Sequence, residues 1–291
     1  MTLKTLIKLA EPKTFSASLL PVFFGSAFAY AHYGFFNLFY FVLLCVGMML
    51  VQGATNMIND YFDYKRMADQ SDRADEKALA SGEVTLLKLK QTIFIFVAAA
   101  LGIGFYFSAT INWWILAVIA VAMTVLMTYS TGPKPICYTP FGELAAGLVM
   151  GMGITSTVIF IQSGTFNGLT ILIALPTVCF ISGLLLANNL ADWQADLLVG
   201  RKTSVILLGP EKASKLWVAL MLSMLLLSAV LTGIGAYSVW VLIALILTFP
   251  YRQLVVVLKA EKQREKKGLL MGTTTIVGLR YHAVLILMLL I

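Results

Sequence analysis

Charged residues are scarce in this chain, and their scarcity excludes a water-soluble protein. Asp, Glu, Lys and Arg make up 12% of the 291 residues, while 59% of the residues are hydrophobic. A soluble domain normally carries about 25% charged residues. Because a soluble fold of this size cannot hide so many apolar side chains, the composition predicts an integral membrane protein.

Cysteine and histidine are also few. The three cysteines, Cys45, Cys137 and Cys179, lie in apolar or nearly apolar sequence. Their spacing matches neither a zinc site nor a disulfide framework, so we interpret them as packing residues. The two histidines, His32 and His282, have no neighbouring cluster of metal-binding residues, and we expect them to be interfacial or packed.

Apolar runs long enough to span a membrane recur about nine times. This pattern predicts an all-α, polytopic membrane protein with about nine transmembrane helices. The eighth run is short and the ninth contains Arg280, so a count of eight or ten stays open. The prolines that follow Ser130 must end the fourth helix. The runs cover roughly residues 15–31, 36–58, 91–109, 113–130, 143–162, 168–190, 216–234, 237–251 and 270–291.

The charges are distributed on one side of this predicted bundle. All 14 acidic and all 21 basic residues fall there if Arg280 is placed at the near edge of its helix. By the positive-inside rule that side is the cytoplasm, so the N-terminus is inside and the C-terminus outside a cell membrane. The net charge of +7 is divided among membrane loops, which argues against nucleic acid as a partner. The links without charge lie near 32–35, 109–112, 163–167 and 235–236.

Two matching polar stretches close the second and sixth runs. Each carries an asparagine, an aspartate four residues later, and another aspartate three or four residues beyond. Residues four apart lie on one helical face, so each stretch can direct its carboxylates together. Ionisable groups at a membrane edge are costly and usually functional. The residues are Asn56, Asp60 and Asp63 in the first motif, and Asn188, Asp192 and Asp196 in the second. Whether an internal duplication produced them stays open.

The four carboxylates predict a magnesium site. Asp60 and Asp63 would repel Asp192 and Asp196 if the motifs faced each other, unless cations lay between them. Hard oxygen ligands suit Mg²⁺, which is commonly shared with substrate phosphates. Basic side chains near the motifs would complete a site for a diphosphate. The candidates are Lys65, Arg66, Arg73, Lys77, Lys134, Arg201 and Lys202.

Around these residues the chain resembles the UbiA superfamily of intramembrane prenyltransferases. Within it, the resemblance is greatest to the MenA type, which prenylates 1,4-dihydroxy-2-naphthoate. Two Asp-rich motifs at this separation, each closing a helix, form a specific signal. The matching segments are 11–14, 19–25, 56–73, 77–84, 129–144 and 188–203.

The resemblance implies one integral-membrane domain over residues 1–291, with a helix bundle around a central cavity and cytoplasmic motif loops at 56–83 and 188–203. It implies that Mg²⁺ and the catalytic, metal-binding residues Asp60, Asp63, Asp192 and Asp196 hold a polyprenyl diphosphate. An aromatic ring then attacks the allylic cation, as in menaquinone biosynthesis, where the product is demethylmenaquinone. The resemblance adds Asn56, Asn59, Asp72, Tyr129, Asn188 and Asn189 to the substrate-binding residues.

Other functions stay open from the sequence. Ala191 and Leu207 depart from residues frequent in the MenA type, so another acceptor, such as 4-hydroxybenzoate, is an alternative. A secondary transporter is a second alternative, although its ion sites lie near the midplane, whereas these carboxylates lie at helix ends. A structural scaffold offers no reason for two matched motifs. Membrane lipid is an expected partner, especially for the basic run 259–267.

Overall fold

The computed structural model describes residues 2–65, 78–79, 81–259 and 263–291; the side chains of Asp63, Lys259 and residues 263–268 lie outside this description. Every regular element in these ranges is a helix. The predicted all-α fold is therefore confirmed.

Fourteen α-helices follow one another in the described ranges. A 3₁₀ turn, Pro12–Thr14, precedes α2, another, Ile136–Tyr138, precedes α6, and a π-helical segment, Gly147–Gly153, joins α6 to α7. The helices are α1 (Leu3–Ala10), α2 (Ser16–Tyr33), α3 (Leu38–Lys65), α4 (Leu86–Thr110), α5 (Ile115–Ser130), α6 (Gly142–Ala146), α7 (Ile154–Ser163), α8 (Gly168–Leu172), α9 (Leu175–Leu198), α10 (Ser204–Leu208), α11 (Pro210–Gly233), α12 (Val239–Thr248), α13 (Tyr251–Lys259) and α14 (Gln263–Leu290).

Six continuous helical stretches are long and apolar enough to cross a membrane, and the number rises to eight if each of two bent helix pairs is one span. One pair is Leu3–Thr14 with Ser16–Tyr33, and the other is Val239–Thr248 with Tyr251–Leu258. Each of the nine predicted runs has a helical counterpart, but α5 has only 16 residues, fewer than the roughly 20 that a spanning helix needs. The count of nine is therefore not confirmed.

Helix α9 lies at the centre of the larger hydrophobic core. It packs against α11, α14, α6 and the π-helical segment. Glycines allow that segment to approach closely, because a Cβ on Gly151 would lie 2.7 Å from the backbone nitrogen of Val178. Helix α3, in contrast, packs chiefly against α4, α2 and α1. Helix α2 contacts α3, α7 and α14 and so joins the two regions.

Candidate active site

The first motif lies in the last turns of α3, as predicted. Asp60 is buried, with 9% of its surface exposed, and Asn59 is half-buried. Lys65 is exposed at the helix end, with its ammonium 5.3 Å from the ring centroid of Tyr61. Asp63 belongs to the same helix, but its side chain is outside the description.

Asn56 is held by the N-terminal segment of the chain. Its Nδ2 donates to the carbonyl oxygen of Ala10 and to Oγ1 of Thr14, both at 2.8 Å. Gln52 donates from Nε2 to Oγ1 of Thr14 at 3.3 Å, and Ser18 donates to Oε1 of Gln52 at 2.6 Å. These contacts use both amide N–H groups of Asn56, and its Oδ1 accepts from Nε2 of Gln52 at 3.4 Å. Since an amide oxygen has two lone pairs, the side of Asn56 that remains for a ligand is an acceptor. That side suits a cation better than a phosphate oxygen.

The second motif lies in the last turns of α9, again as predicted. Asn188 is exposed and Asp192 is half-buried, whereas Asn189 and Asp196 are buried. The four side chains therefore differ in exposure, although the sequence assigns all of them to one substrate site. Asn188 and Asp192 lie nearer the protein surface than Asn189 and Asp196.

Glu143, at the start of α6, holds the second motif. Its Oε1 accepts a hydrogen bond from Nδ2 of Asn189 at 2.8 Å and another from Oγ of Ser204. Its backbone oxygen accepts from Oγ of Ser182 at 2.9 Å. The second carboxylate oxygen, Oε2, is buried and has no hydrogen-bond partner in the described part of the chain. Glu143 thus fixes the orientation of the Asn189 amide, whose Oδ1 points away from the carboxylate.

Asp196 is paired with a cation from its own chain. Nη1 of Arg201 lies 2.9 Å from Oδ1 of Asp196, and both side chains are largely buried, with 16% and 6% exposed. The Arg201 guanidinium also lies over the ring of Tyr138, 5.0 Å from its centroid. The backbone N–H of Lys202 donates to the carbonyl oxygen of Tyr138 at 2.9 Å. Arg201 therefore neutralises Asp196, which the sequence interpretation had treated as a ligand for metal alone.

The segment from Tyr129 to Glu143 connects the two motifs. At one end, Oγ of Ser130 donates to Oδ1 of Asn59. The hydroxyl of Tyr129 lies beside Gly142, since a Cβ there would be 3.6 Å from it. At the other end, Glu143 binds Asn189. One polar segment thus contacts both Asp-rich helices at the same end of the bundle.

The donor set fits Mg²⁺ in its chemistry. Asp60 and Asp192 supply carboxylates. Asn56 and Asn189 add amide oxygens, since Asn56 donates to Ala10 and Thr14 and Asn189 donates to Glu143. Such hard oxygen donors are the ligands that Mg²⁺ prefers. Within residues 2–65, 78–79, 81–259 and 263–291, no three Asp, Glu, His or Cys side chains form a ready cluster for a metal ion. The side chain of Asp63 lies outside that search.

Several predicted binding residues lie outside the described residues, namely Arg66, Asp72, Arg73 and Lys77. Lys134 and Lys202 are exposed, and Tyr129 is half-buried. Sequence reasoning assigned no role to the residues that support the motifs, which are Thr14, Ser18, Gln52, Ser130, Glu143 and Ser204. Thr14, Ser130 and Glu143 do fall within segments of the family resemblance, which is the signal that could have identified them.

A family model and curated proteins match this chain. The model described as the UbiA prenyltransferase family matches residues 18–274. A 1,4-dihydroxy-2-naphthoate octaprenyltransferase of Bacillus subtilis (strain 168) is 33% identical over 241 residues, which cover 81% of this chain and 76% of the relative. The UbiA prenyltransferase domain-containing protein 1 of Danio rerio is 30% identical over 209 residues, covering 69% of this chain and 60% of that protein.

Solved structures share the fold over nearly the full length. A UbiA homolog from Archaeoglobus fulgidus bound to DMAPP and Mg²⁺ matches with a TM-score of 0.71 and 17% identity, covering 98% of this chain and 99% of that chain. A digeranylgeranylglyceryl phosphate synthase matches with a TM-score of 0.69 and 18% identity, covering 99% and 98%. At these identities the likeness establishes a common helical architecture.

Proposed function

This chain belongs to the UbiA prenyltransferase family and is a membrane-embedded prenyltransferase, and we propose that it transfers a polyprenyl group from a polyprenyl diphosphate to 1,4-dihydroxy-2-naphthoate. The observation that carries the proposal is the pair of Asn/Asp motifs at the ends of α3 and α9, connected by one polar segment. The 33% identity to a 1,4-dihydroxy-2-naphthoate octaprenyltransferase supports this choice of acceptor. The product belongs to menaquinone biosynthesis.

The two motifs bind the diphosphate end of the donor. Asp60, Asp63, Asp192 and Asp196 would hold Mg²⁺, and the bound ion would supply positive charge to stabilise the leaving diphosphate. The Asn59 amide is used in the opposite way to that of Asn56, because its Oδ1 accepts from Ser130. Its N–H groups, which donate to no described residue, would donate to a phosphate oxygen. The other residues proposed for the diphosphate and substrate are Asn56, Lys65, Arg66, Asp72, Arg73, Lys77, Tyr129, Lys134, Asn188, Asn189 and Lys202.

The reaction breaks the allylic C–O bond, and its electron pair leaves with the diphosphate. The electron-rich ring of the acceptor supplies the pair for the new C–C bond. Because demethylmenaquinone carries no carboxyl group, that group leaves as CO₂, and the first product is the reduced demethylmenaquinol. The apolar interior of the bundle keeps water from the allylic cation, which water would otherwise quench.

We place the reaction at the cytoplasmic face of a cell membrane. The motif helices end on the side of the bundle that holds the charged loops, so both substrates' anionic groups meet the basic residues there. The N-terminus is then inside the cell and the C-terminus outside. Membrane lipid surrounds the apolar faces of the spanning helices.

A transfer assay tests the proposal. Purified protein in lipid receives a polyprenyl diphosphate, Mg²⁺ and either 1,4-dihydroxy-2-naphthoate or 4-hydroxybenzoate, with EDTA as the control. We expect prenylated product with the naphthoate, and none in EDTA. Product with the benzoate alone would contradict the proposed acceptor and retain the donor chemistry. Absence of product with both acceptors, while Mg²⁺-dependent diphosphate binding persists, would reject both acceptors.

A further inference from the structure

Two lysines converge on one tyrosine where α3 ends and α4 begins, at the end of the bundle that holds the Asp-rich motifs. Nζ of Lys65, the last residue of α3, lies 5.3 Å from the ring centroid of Tyr61. Nζ of Lys90, in the second turn of α4, lies 5.4 Å from the same centroid. Both ammonium groups also interact with the hydroxyl of Tyr61. The ring and its hydroxyl therefore keep the two cations close to each other.

This pair of cations has no counter-ion from the protein. Within the described part of the chain, neither Lys65 nor Lys90 forms an ion pair with a carboxylate. Tyr61 packs against the apolar cluster that contains Met57 and Leu89. Its ring attracts both cations, but a neutral ring does not cancel their charge. Like charges that share a site disfavour each other, and a bound anion relieves that repulsion.

An open groove with a volume of about 450 Å³ begins at Lys90 on the outer face of α4. Lys90 and Gln91 form its polar end, and Phe94 and Ile95 form its apolar end. Phe94 and Ile95 are 73% and 61% exposed. Large apolar side chains that are exposed side by side on a spanning helix mark a surface that contacts the membrane. The groove therefore opens to the bilayer.

The polar end of the groove lies at the depth of the lipid headgroups. Twenty residues of α4 follow Lys90, up to Thr110, and measure about 30 Å, which is the thickness of the hydrocarbon core. Tyr61 is preceded by 23 residues of α3, which measure about 35 Å. Both residues thus lie at the same boundary of the core, where tyrosine side chains meet the headgroup layer.

We propose that Lys65, Lys90 and Tyr61 bind the phosphate of an anionic phospholipid, whose acyl chain lies in the groove along Phe94 and Ile95. Ammonium groups and a phenol hydroxyl donate hydrogen bonds to phosphate oxygens. Since the two lysines have no carboxylate partner, they favour a headgroup with a net negative charge. A zwitterionic headgroup brings its own cation and is attracted less.

The prenyl donor also carries phosphate, and Lys65 is among the residues proposed above to bind it. The geometry favours the phospholipid at this site. Lys65 follows Asp60 by five residues, which turns it about 140° away around the helix. Among the described residues, those that line the groove include none from either Asp-rich motif. The lipid site is therefore separate from the prenyl-transfer site.

Native mass spectrometry of the delipidated full chain tests the proposal, with phosphatidylglycerol and phosphatidylcholine of identical acyl chains as probes. We expect the wild-type protein to retain phosphatidylglycerol preferentially, and Lys90→Gln to bind it about fivefold less tightly. Lys88→Gln is the matched control, because Lys88 is an exposed lysine of the same helix end that does not line the groove. Lys88→Gln and the charge-retaining Lys90→Arg should both keep the wild-type preference.

The KM for the prenyl donor is the second measurement, and Lys90→Gln should leave it unchanged. A raised KM for the donor without weaker phosphatidylglycerol binding would assign Lys90 to the donor and overturn the proposal. Equal retention of the two lipids by the wild-type protein would also overturn it. So would equal losses in Lys88→Gln and Lys90→Gln, which would mean a diffuse attraction to the charged surface. If thermal unfolding shows that Lys90→Gln does not fold, Lys65→Gln carries the same test and should weaken phosphatidylglycerol binding about fivefold.

Discussion

The two Asp-rich motifs occupy equivalent positions at the ends of α3 and α9, but different chemistry holds each of them. The first is held by neutral groups, since Asn56 donates to a backbone carbonyl and to the hydroxyl of Thr14. The second is held by charged groups, since Asn189 donates to Glu143 and Asp196 pairs with Arg201. Two motifs with the same sequence pattern are therefore held in place by different hydrogen bonds and charges.

The difference predicts unequal tolerance to substitution. A neutral hydrogen bond contributes about 1 kcal/mol, and its loss is modest. A buried ion pair that loses one partner leaves an uncompensated charge, which is much more costly. The second motif should therefore be the more fragile of the two. The first motif should depend instead on the docking of the N-terminal segment, because Ala10 and Thr14 both belong to it.

The largest expected effect comes from removing one carboxylate from each motif. Asp60→Ala and Asp192→Ala should each lower the rate of prenyl transfer by about 100-fold or more, because a group that binds the metal or the leaving diphosphate is lost. The measurement is product formation at saturating Mg²⁺ and donor. Thermal unfolding should show that both variants still fold. Retained activity in either variant would remove that motif from the catalytic site.

Arg201→Ala should produce the largest loss of stability. It leaves the carboxylate of Asp196 buried without its cation, at a cost of about 3 kcal/mol. Thermal unfolding in a fixed detergent measures the loss. Arg201→Lys, which keeps a positive charge, should recover part of it, and Arg201→Ala combined with Asp196→Asn should recover more. If Arg201→Ala unfolds at the wild-type temperature, the buried pair does not stabilise the second motif.

Glu143→Ala and Thr14→Val compare the two supports directly. Glu143→Ala leaves Asn189 and Ser204 without their acceptor and should destabilise the protein by about 2 kcal/mol. Thr14→Val removes one neutral acceptor and should cost about 1 kcal/mol. Both variants should raise the KM for Mg²⁺ if the asparagine oxygens bind the ion, whereas a purely structural role would leave that KM unchanged. Equal stability losses would contradict the difference between the motifs.

The smallest effect concerns the pairing of α1 with the loop before α4. Nζ of Lys8 lies 2.5 Å from Oε1 of Glu83, and this hydrogen bond lowers the pKa of the Glu83 carboxyl below its ordinary value. A lowered pKa in the folded state means that the pair stabilises the protein above the ordinary glutamate pKa of about 4.3. The contribution disappears as the pH falls through the lowered pKa.

Hydrogen exchange of the α1 amides measures this contribution. At pH 7 the wild-type helix should exchange more slowly than the Glu83→Gln variant, which cannot ionise. The difference in exchange rate should shrink as the pH falls below 4.3 and through the lowered pKa of Glu83. A difference that does not change with pH would mean that the ionised pair does not anchor α1.

The apolar runs predicted the spanning helices because their length and composition are local properties of the chain. The end of α5 at Ser130 also followed locally, from the prolines beyond it. The span count was less secure, because Pro250 divides one run into α12 and α13, and the 16 residues of α5 fall short of the usual length. Local composition does not reveal whether a short or bent helix crosses the membrane as one span.

The supporting residues could not be predicted in the same way. Glu143 is a single acidic residue within an apolar stretch, and its partners lie 46 and 61 residues away in the chain. Arg201 was among the candidates for binding an anion, but the turn after α9 folds it back onto Asp196. Neither contact has a periodic signal, because each depends on where two separate elements meet.

The sequence by itself determined that the protein lies in lipid, that its fold is helical, where the two Asp-rich motifs are, and which family it belongs to. Hydropathy and motif spacing are properties that can be read along the chain. Only the tertiary structure decided which face of each asparagine remains for a ligand, that Arg201 neutralises Asp196, and that Tyr129 to Glu143 connects the motifs. It also placed Lys65 and Lys90 beside one tyrosine ring, although Lys90 follows Lys65 by 25 residues in the sequence. Hydrogen bonds and ion pairs act over about 3 Å, so they depend on which helices pack together.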